Sequence, residues 1–329
     1  MLRDMMPQFE LYQPDTLENA LNLAKELDDK GWLLAGGYDS LDWFKDRAKR
    51  PGAVIDIGGI ASLKGIRETP EGLEIGALTT LTEIADSALV KEKYSLLASA
   101  ASHVASPQIR NAGTIGGNLC QDARCWYYRS GVNCYRAGGN SCFADTPQGQ
   151  NREHCLYGAS RCVAVSPSDT GTAAVALDAR IVVHSAAGER VIPAEEFFIG
   201  PATDITHMTV LKKGEILTAI RLPKDWAGAK FYFEKVTDRN TWDFALVSVA
   251  AAMSVDGGVI KRIRLAVGAV ECVPRRLKAV EDAVTGSPQN ADTATLAGKT
   301  AVQGATPLNF NHFKIPLMEN LVRRAIRDA

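Results

Sequence analysis

Long apolar runs, lopsided charge and the common dinucleotide fingerprint are all missing from these 329 residues. The most apolar stretches, AVAL and ALVSVAAAM, fall far short of the roughly 20 residues that a membrane-spanning helix needs. With 37 Lys and Arg against 38 Asp and Glu the net charge is −1, which leaves no electrostatic footprint for nucleic acid or an anionic membrane. The chain shows no charged n-region followed by an apolar h-region, so a cytoplasmic location is expected. There is no G-x-G-x-x-G, which argues against a Rossmann dinucleotide fold. The five histidines (His103, His154, His184, His207 and His312) are scattered. No Ser/His/Asp set or carboxylate pair points to hydrolytic or acid–base chemistry. Repeats and low-complexity tails are absent too. What remains is an ordinary globular composition, 46% hydrophobic and 23% charged, with a length that favours about two domains.

What is present in abundance is clustered cysteine. Cys120, Cys125, Cys134, Cys142, Cys155 and Cys162 share one stretch, and Cys272 stands alone downstream. Glycine, proline and polar residues separate them, as in RSGVNCYRAGGNSCFADTPQGQNREHC, and neither helical nor strand periodicity runs through. About forty residues of this kind would be an unusually long loop in a compact domain, so something other than an apolar core must order it. Disulfides belong to oxidising compartments. Structural zinc usually takes C-x2-4-C pairs, whereas most of these cysteines lie seven to thirteen residues apart. An iron–sulfur cluster tolerates wide, irregular spacing. Unconnected thiols are the fourth reading, and the spacing leaves all four open. Cys272 reads as a small buried apolar residue.

The rest of the chain predicts an α+β fold with mixed strands and helices. Asp15 is a candidate cap, with Glu18 as its capping-box partner, for a first helix that Gly31 would end. Strands are expected at WLLAG, 53–58 and 72–77, helices near 80–93 and 94–106, and a strand again at Cys162–Val165. SPSD opens a small-residue helix, and RIVVHS, RVIPAEE and GEILTAIRLP follow as strands. Composition changes around 222–229, where a domain boundary is expected. Beyond it FYFEKV, ALVSVAAAMSVDGG and VIKRIRLAVGAV read as antiparallel strands with Asp256-Gly257-Gly258 as a hairpin turn. Helices near 275–284, 291–303 and 316–328 close the chain.

Two glycine loops can each cradle an anion with backbone N–H groups, because no Cβ blocks the approach. The first is Ala35, Gly36, Gly37, Tyr38, Asp39, Ser40 and Leu41; the second runs from Asn111 through Gly113, Thr114, Gly116 and Gly117 to Asn118. Either loop could instead be a plain tight turn.

The ordered segments AGGYDSL, IGALTTLTEI, PQIRNAGTIGGNL, SPSDTGTAAVALDA and EKVTDRNTWDFALVSVAAA resemble the FAD-binding medium subunit of the molybdenum hydroxylase (xanthine oxidase) family, over essentially the whole chain. That resemblance implies a two-lobed PCMH-type FAD-binding domain over 1–223, with subdomains at 1–58 and 59–223. A smaller C-terminal domain of the CO dehydrogenase flavoprotein type, antiparallel sheet plus helices, would occupy 224–329. The insert at about 120–162, with RCWYYRSGVNCYRAGGNSC and then SRCVAVSPSD, resembles a subgroup that carries an extra [4Fe–4S] cluster. Flavin subunits of bacterial aldehyde oxidoreductases and the β subunit of 4-hydroxybenzoyl-CoA reductase belong to that subgroup.

Carried over residue by residue, the cluster ligands are Cys125, Cys134, Cys142 and Cys162, with Cys155 as the rival and Cys120 off the pattern. FAD would be held by residues 35–41, by Ile109, Asn111, Gly113, Thr114, Gly116, Gly117 and Asn118, and by Asp169, Lys235 and Asp243. Asp169 would also serve as a plain helix cap, and Lys235 and Asp243 as surface strand residues. Trp242 either stacks on the flavin or packs in the core. Tyr38 departs from the Thr or Ser common in the family, which removes a hydroxyl contact but not the backbone cradle. The implied function is electron transfer between [2Fe–2S] clusters of a small partner subunit, the FAD and an external acceptor. Molybdenum cofactor chemistry would take place on a large partner subunit, in a heterotrimer or its dimer. The spacing of nine and then eight between the first three ligands, and the phrase RNTWDFALVSVAA, favour an aldehyde-oxidising complex. A reductive 4-hydroxybenzoyl-CoA reductase type, a stand-alone FAD oxidoreductase and a zinc-stabilised scaffold are the alternatives. A twin-arginine signal on a partner would place the complex in the periplasm.

Overall fold

A computed structural model describes residues 6–329. The chain begins with β1 (Glu10–Tyr12), α1 (Leu17–Leu27), β2 (Gly31–Leu34), α2 (Tyr38–Lys45) and β3 (Ala53–Asp56). The strands form a parallel sheet in the order β1-β3-β2. One face of β3 packs through Ile55 on Ala20, Leu21 and Ala24 of α1, and the other through Val54 on Trp43 and Phe44 of α2. Thr16, not Asp15, caps α1, accepting from the Asn19 N–H at 3.2 Å. Asp15 instead accepts from the Asn19 side chain. Nor does Gly31 end the helix: Asp28 stands there at positive φ (44°), a single 3-10 turn follows, and Gly31 opens β2 in extended geometry.

Next come β4 (Ile66–Thr69), β5 (Gly72–Gly76), α3 (Leu81–Asp86), α4 (Ala88–Lys93), α5 (Ser95–Ser102), α6 (Pro107–Arg110), α7 (Ile115–Leu119) and α8 (Trp126–Arg129). The helix expected over 80–93 is thus two, because the Ser87 side chain caps the second one. After the cysteine loop follow α9 (Asp169–Ala176), β6 (Arg180–Ser185), β7 (Gly188–Pro193), α10 (Ala194–Phe197) and β8 (Ile216–Pro223). Cys162–Val165 is not a strand; only Val165 bridges, to Arg124, because the loop has no neighbouring strand to pair with. An antiparallel sheet of order β4-β5-β8-β6-β7 buries Leu73, Ile75, Ile181, Val183 and Ile220 against α3, α5, α7 and α9.

The final part holds β9 (Lys230–Val236), β10 (Val247–Asp256), β11 (Val259–Gly268), β12 (Arg275–Arg276), α11 (Lys278–Val284), α12 (Ala291–Ala301) and α13 (Lys314–Asp328). Asp256 pairs with Val259 across Gly257 and Gly258, both at positive φ (56° and 78°), as a two-residue type I′ hairpin requires. Along β10 the alternation splits two cores. Val249, Ala251 and Met253 meet α11 to α13, whereas Ala250 and Ala252 face α9. That second face is made of small residues on both sides, so α9 lies close to the sheet and joins the two halves of the molecule. Among the described residues no helix is long and apolar enough to cross a membrane.

Candidate functional site

The two glycine loops meet. A Cβ on Gly36 would lie 2.2 Å from the Ala112 carbonyl oxygen and 2.9 Å from Gly113 Cα, so only glycine permits this backbone contact. Gly37, at φ 83°, is the N-cap of α2 and offers no side chain to cap it. The first N–H groups of that eight-residue helix have no intrahelical acceptor and stand at the positive end of its dipole. Around this end Ala35 and Leu41 are half-buried, and Tyr38 is exposed. Ser40 accepts from Trp32 Nε1 at 2.9 Å, and Asp39 accepts from Trp43 Nε1 at 3.3 Å and Arg129 at 2.6 Å. Arg129 ends α8, so that ion pair also ties the cysteine loop to the first glycine loop.

In the second loop Thr114 caps α7 by accepting from the Gly117 N–H at 3.1 Å. Gly116 N–H donates to Ala77 O, and Gly113 N–H to the carbonyl of half-buried Ile109. Asn111 Oδ1 accepts from Thr82 Oγ1 at 2.7 Å. Buried Asn118 is committed internally: Oδ1 accepts from Ser168 Oγ (2.8 Å) and Thr170 Oγ1 (2.5 Å), and Nδ2 donates to Gln121 (3.0 Å). Its side chain therefore fixes α7 against α9.

Asp169 opens α9, but Ser168 supplies the cap. The Asp169 carboxylate instead meets Lys235 Nζ at 2.6 Å, with side chains only 6% and 3% exposed. Burial pushes the Asp169 carboxyl up, and the neighbouring ammonium pulls it back. Lys235 also donates to the His103 carbonyl at 2.9 Å, so the pair is an internal link between β9 and the helical layer and not a surface feature of the strand. Asp243 organises its own turn, accepting from the N–H groups of Arg239 and Phe244. Trp242 is not core: it is 68% exposed, at φ 51°, with its N–H donated to Ala105 O at 2.8 Å. Sequence reasoning missed the pocket beside Asp169, lined in part by Arg124, Glu153, Ser166 and Phe244. Arg124 lies 3.8 Å from the Phe244 ring centroid and pairs with Glu153 at 3.1 Å. These residues follow no pattern along the chain, so only the fold reveals them.

A second pocket lies inside the cysteine loop, and its walls include Cys125, Cys134, Cys142 and Cys162 together. Cys125 is the N-cap of α8, and its sulfur accepts from the N–H groups of Tyr127 and Tyr128. Burial outweighs them and pushes the thiol up to about 11. Cys142 likewise accepts from the N–H groups of Asp145, Val163 and Ala144. The other three cysteines do not line this cavity: Cys120 is exposed, Cys155 is buried beside it, and Cys272 packs 3.7 Å from Met208 Sδ. His154 Nε2 lies 3.3 Å from Cys125 Sγ, and burial lowers its pKa to about 4. Among the described residues no three His, Cys, Asp or Glu side chains are grouped to hold one metal ion.

Two family models cover this architecture. Residues 7–225 match the FAD binding domain in molybdopterin dehydrogenase, and residues 231–329 match the CO dehydrogenase flavoprotein C-terminal domain. The chain belongs to the family of FAD-binding subunits of molybdenum hydroxylases. Its members are components of oxidoreductases. Among its relatives is the aldehyde oxidoreductase FAD-binding subunit PaoB of Escherichia coli, 33% identical over 90% of this chain and 91% of that one. The carbon monoxide dehydrogenase medium chain of Hydrogenophaga pseudoflava is 28% identical over 98% and 97%. In the solved structure of the Hydrogenophaga carbon monoxide dehydrogenase that lacks the Mo-pyranopterin moiety, one chain superposes with a TM-score of 0.79 at 28% identity, covering 99% of this chain and 98% of that one. The α+β fold expected from the sequence is therefore that of this flavoprotein family.

Proposed function

We propose that this chain is the electron-transfer flavoprotein subunit of an aldehyde-oxidising molybdenum hydroxylase, and that it carries a [4Fe–4S] cluster on Cys125, Cys134, Cys142 and Cys162. The observation that carries the second part is the shared cavity: the four family-matched thiols surround one space, and the rival Cys155 does not line it. N–H donors aimed at Cys125 and Cys142 suit thiolate ligands, whose charge they stabilise.

The residues around the glycine loops fit FAD. Gly36 and Gly37 bring backbone, not side chains, to the N-terminus of α2, which suits a pyrophosphate. Gly113, Thr114, Gly116 and Gly117, backed by Ile109, Asn111 and Asn118, would face the phosphate and ribityl region together with Asp169, and Lys235 and Asp243 the flavin ring. When bound, FAD and cluster supply electron storage and transfer, and the chain supplies orientation, local charge and exclusion of water. Electrons would pass between [2Fe–2S] clusters on a small partner subunit, this chain and an external acceptor. The molybdenum cofactor would sit on a large subunit of a heterotrimer. We place the domain limits at 1–223 and 224–329, where the second sheet ends, with the cluster insert at 120–162. The similarity to PaoB supports the aldehyde reading over a reductive 4-hydroxybenzoyl-CoA type. The complex is placed in the cytoplasm unless a partner carries an export signal.

Anaerobically purified protein should contain FAD with about four irons and four acid-labile sulfides per chain. Cys125→Ala should lose the iron, and Cys155→Ala should keep it. The reverse outcome overturns the ligand assignment; flavin without iron overturns the cluster.

A further inference from the structure

Arg136 is the one cation among the described residues that is buried inside the four-cysteine cavity. Its side chain is 1% exposed, and Arg161, the other arginine on that wall, is exposed. One Nη reaches Asp122 at 3.3 Å, and the other reaches Cys272 Sγ at 3.5 Å. Nε is buried with no acceptor in the protein. Asp122 does not neutralise it alone, because the same carboxylate also meets Lys49 at 3.3 Å and accepts from the Tyr128 hydroxyl at 2.8 Å. Two cations thus share one carboxylate beside the cavity. A buried positive surplus is costly unless an anion completes the site. Arg136 and Cys162 share the wall of this pocket.

We propose that Arg136 is a potential-setting residue: its buried guanidinium faces the cluster and its Cys162 ligand and stabilises the more negative, reduced state. This rests on the cluster reading given above. A cluster on four thiolates is an anion in both states, and the one electron it accepts adds one more negative charge. A fixed cation and its N–H groups therefore favour reduction, as hydrogen bonds to cluster sulfurs do generally. Asp122 opposes this by compensating part of the cation. Arg136 and Asp122 should then act with opposite signs, which a purely structural role for either would not produce.

The test is an anaerobic redox titration of the full chain with dithionite, with the reduced cluster followed by electron paramagnetic resonance. Arg136→Gln should lower the ratio of reduced to oxidised cluster at a fixed ambient potential about tenfold, a shift of about 59 mV for a one-electron couple. Arg136→Lys, which keeps the charge, should recover most of it, and Asp122→Asn should shift the midpoint upward. If R136Q takes up no iron, the D122N midpoint decides: an upward shift supports the proposal, and an unchanged or lowered one overturns it. Unchanged midpoints, or shifts of the same sign in R136Q and D122N, overturn the proposal. Wild-type protein without iron and sulfide would instead overturn the cluster reading itself.

Discussion

The Lys235–Asp169 pair links the C-terminal sheet to α9, and breaking it by removing one partner should be the most damaging single change away from the cysteine loop. At 2.6 Å and an effective dielectric of about 20, Coulomb's law gives an attraction of about 6 kcal/mol. Desolvation of two buried ions offsets several kcal/mol for each, so the pair contributes little net stability. The consequence is asymmetric. Lys235→Met leaves the Asp169 carboxylate buried and bare, and Asp169→Asn leaves the ammonium with only the His103 carbonyl. Each should cost about 3–5 kcal/mol. In the Asp169→Asn/Lys235→Met double variant neither charge remains, and its cost should fall well below the sum of the singles. Urea unfolding of the four proteins gives the coupling directly. We expect at least about 2 kcal/mol, typical of directly interacting groups. Additivity within about 0.5 kcal/mol would refute the argument.

Gly36→Ala drives a Cβ to within 2.2 Å of backbone that cannot swing aside, and overpacking of this kind costs about 1–3 kcal/mol. FAD retention, read by flavin fluorescence in the filtrate, should fall while iron content holds; retained flavin would show that the loops do not form the cradle. Lys314→Met removes an ammonium that donates to the carbonyls of Glu153, His154 and Ala269 at 2.8–3.0 Å and should destabilise the protein by about 3 kcal/mol, judged from unmet buried acceptors. Burial also pushes Lys314 from 10.5 down to about 7. The folded state then releases this proton near pH 7 while the unfolded chain keeps it. Wild-type stability should gain up to about 1.4 kcal/mol per pH unit between 7 and 9 relative to the variant. A wild-type-minus-variant difference that stays flat over that range refutes the shift.

The elements legible in the sequence were those whose own residues settle them. RIVVHS is β6 residue for residue, because alternation and flanking turns agree, and Gly257-Gly258 could hardly be anything but a hairpin turn. Boundaries were less legible where adjacent residues compete for one role: Asp15 and Thr16 can both cap, and only Thr16 reaches the Asn19 N–H. Cys162–Val165 looked like a strand because buried loop residues are as apolar as strand residues, but no partner strand lies beside it. At the site, the glycine loops were legible as motifs, and it was the family resemblance, not the spacing, that singled out the four cysteines lining one pocket. Arg124, Glu153, Phe244, Asp122 and Arg136 were not, since what brings them together is contact between segments far apart in the chain.

Those contacts explain why a loop so poor in apolar periodicity is nevertheless ordered. Its exit segment hydrogen-bonds to the C-terminal part of the chain: the N–H groups of Leu156 and Tyr157 donate to Val270 O, and that of Ser166 donates to Glu271 O. Asn311 donates to the carbonyls of His154 and Cys155, and Lys314 fills the position beneath them. Its entrance is fixed from the opposite side, by Arg129 on Asp39 and by Lys49 on Asp122. The loop is therefore a wedge held between the first glycine loop and the C-terminal sheet, and Arg124 stands at its edge between the two cavities. A cluster held this way would be set relative to the flavin by both parts of the chain at once. On this reading Cys155 is buried because it lies on the clamped strip beneath the cavity, and that position, more than its spacing in the sequence, separates it from the four thiols proposed as ligands.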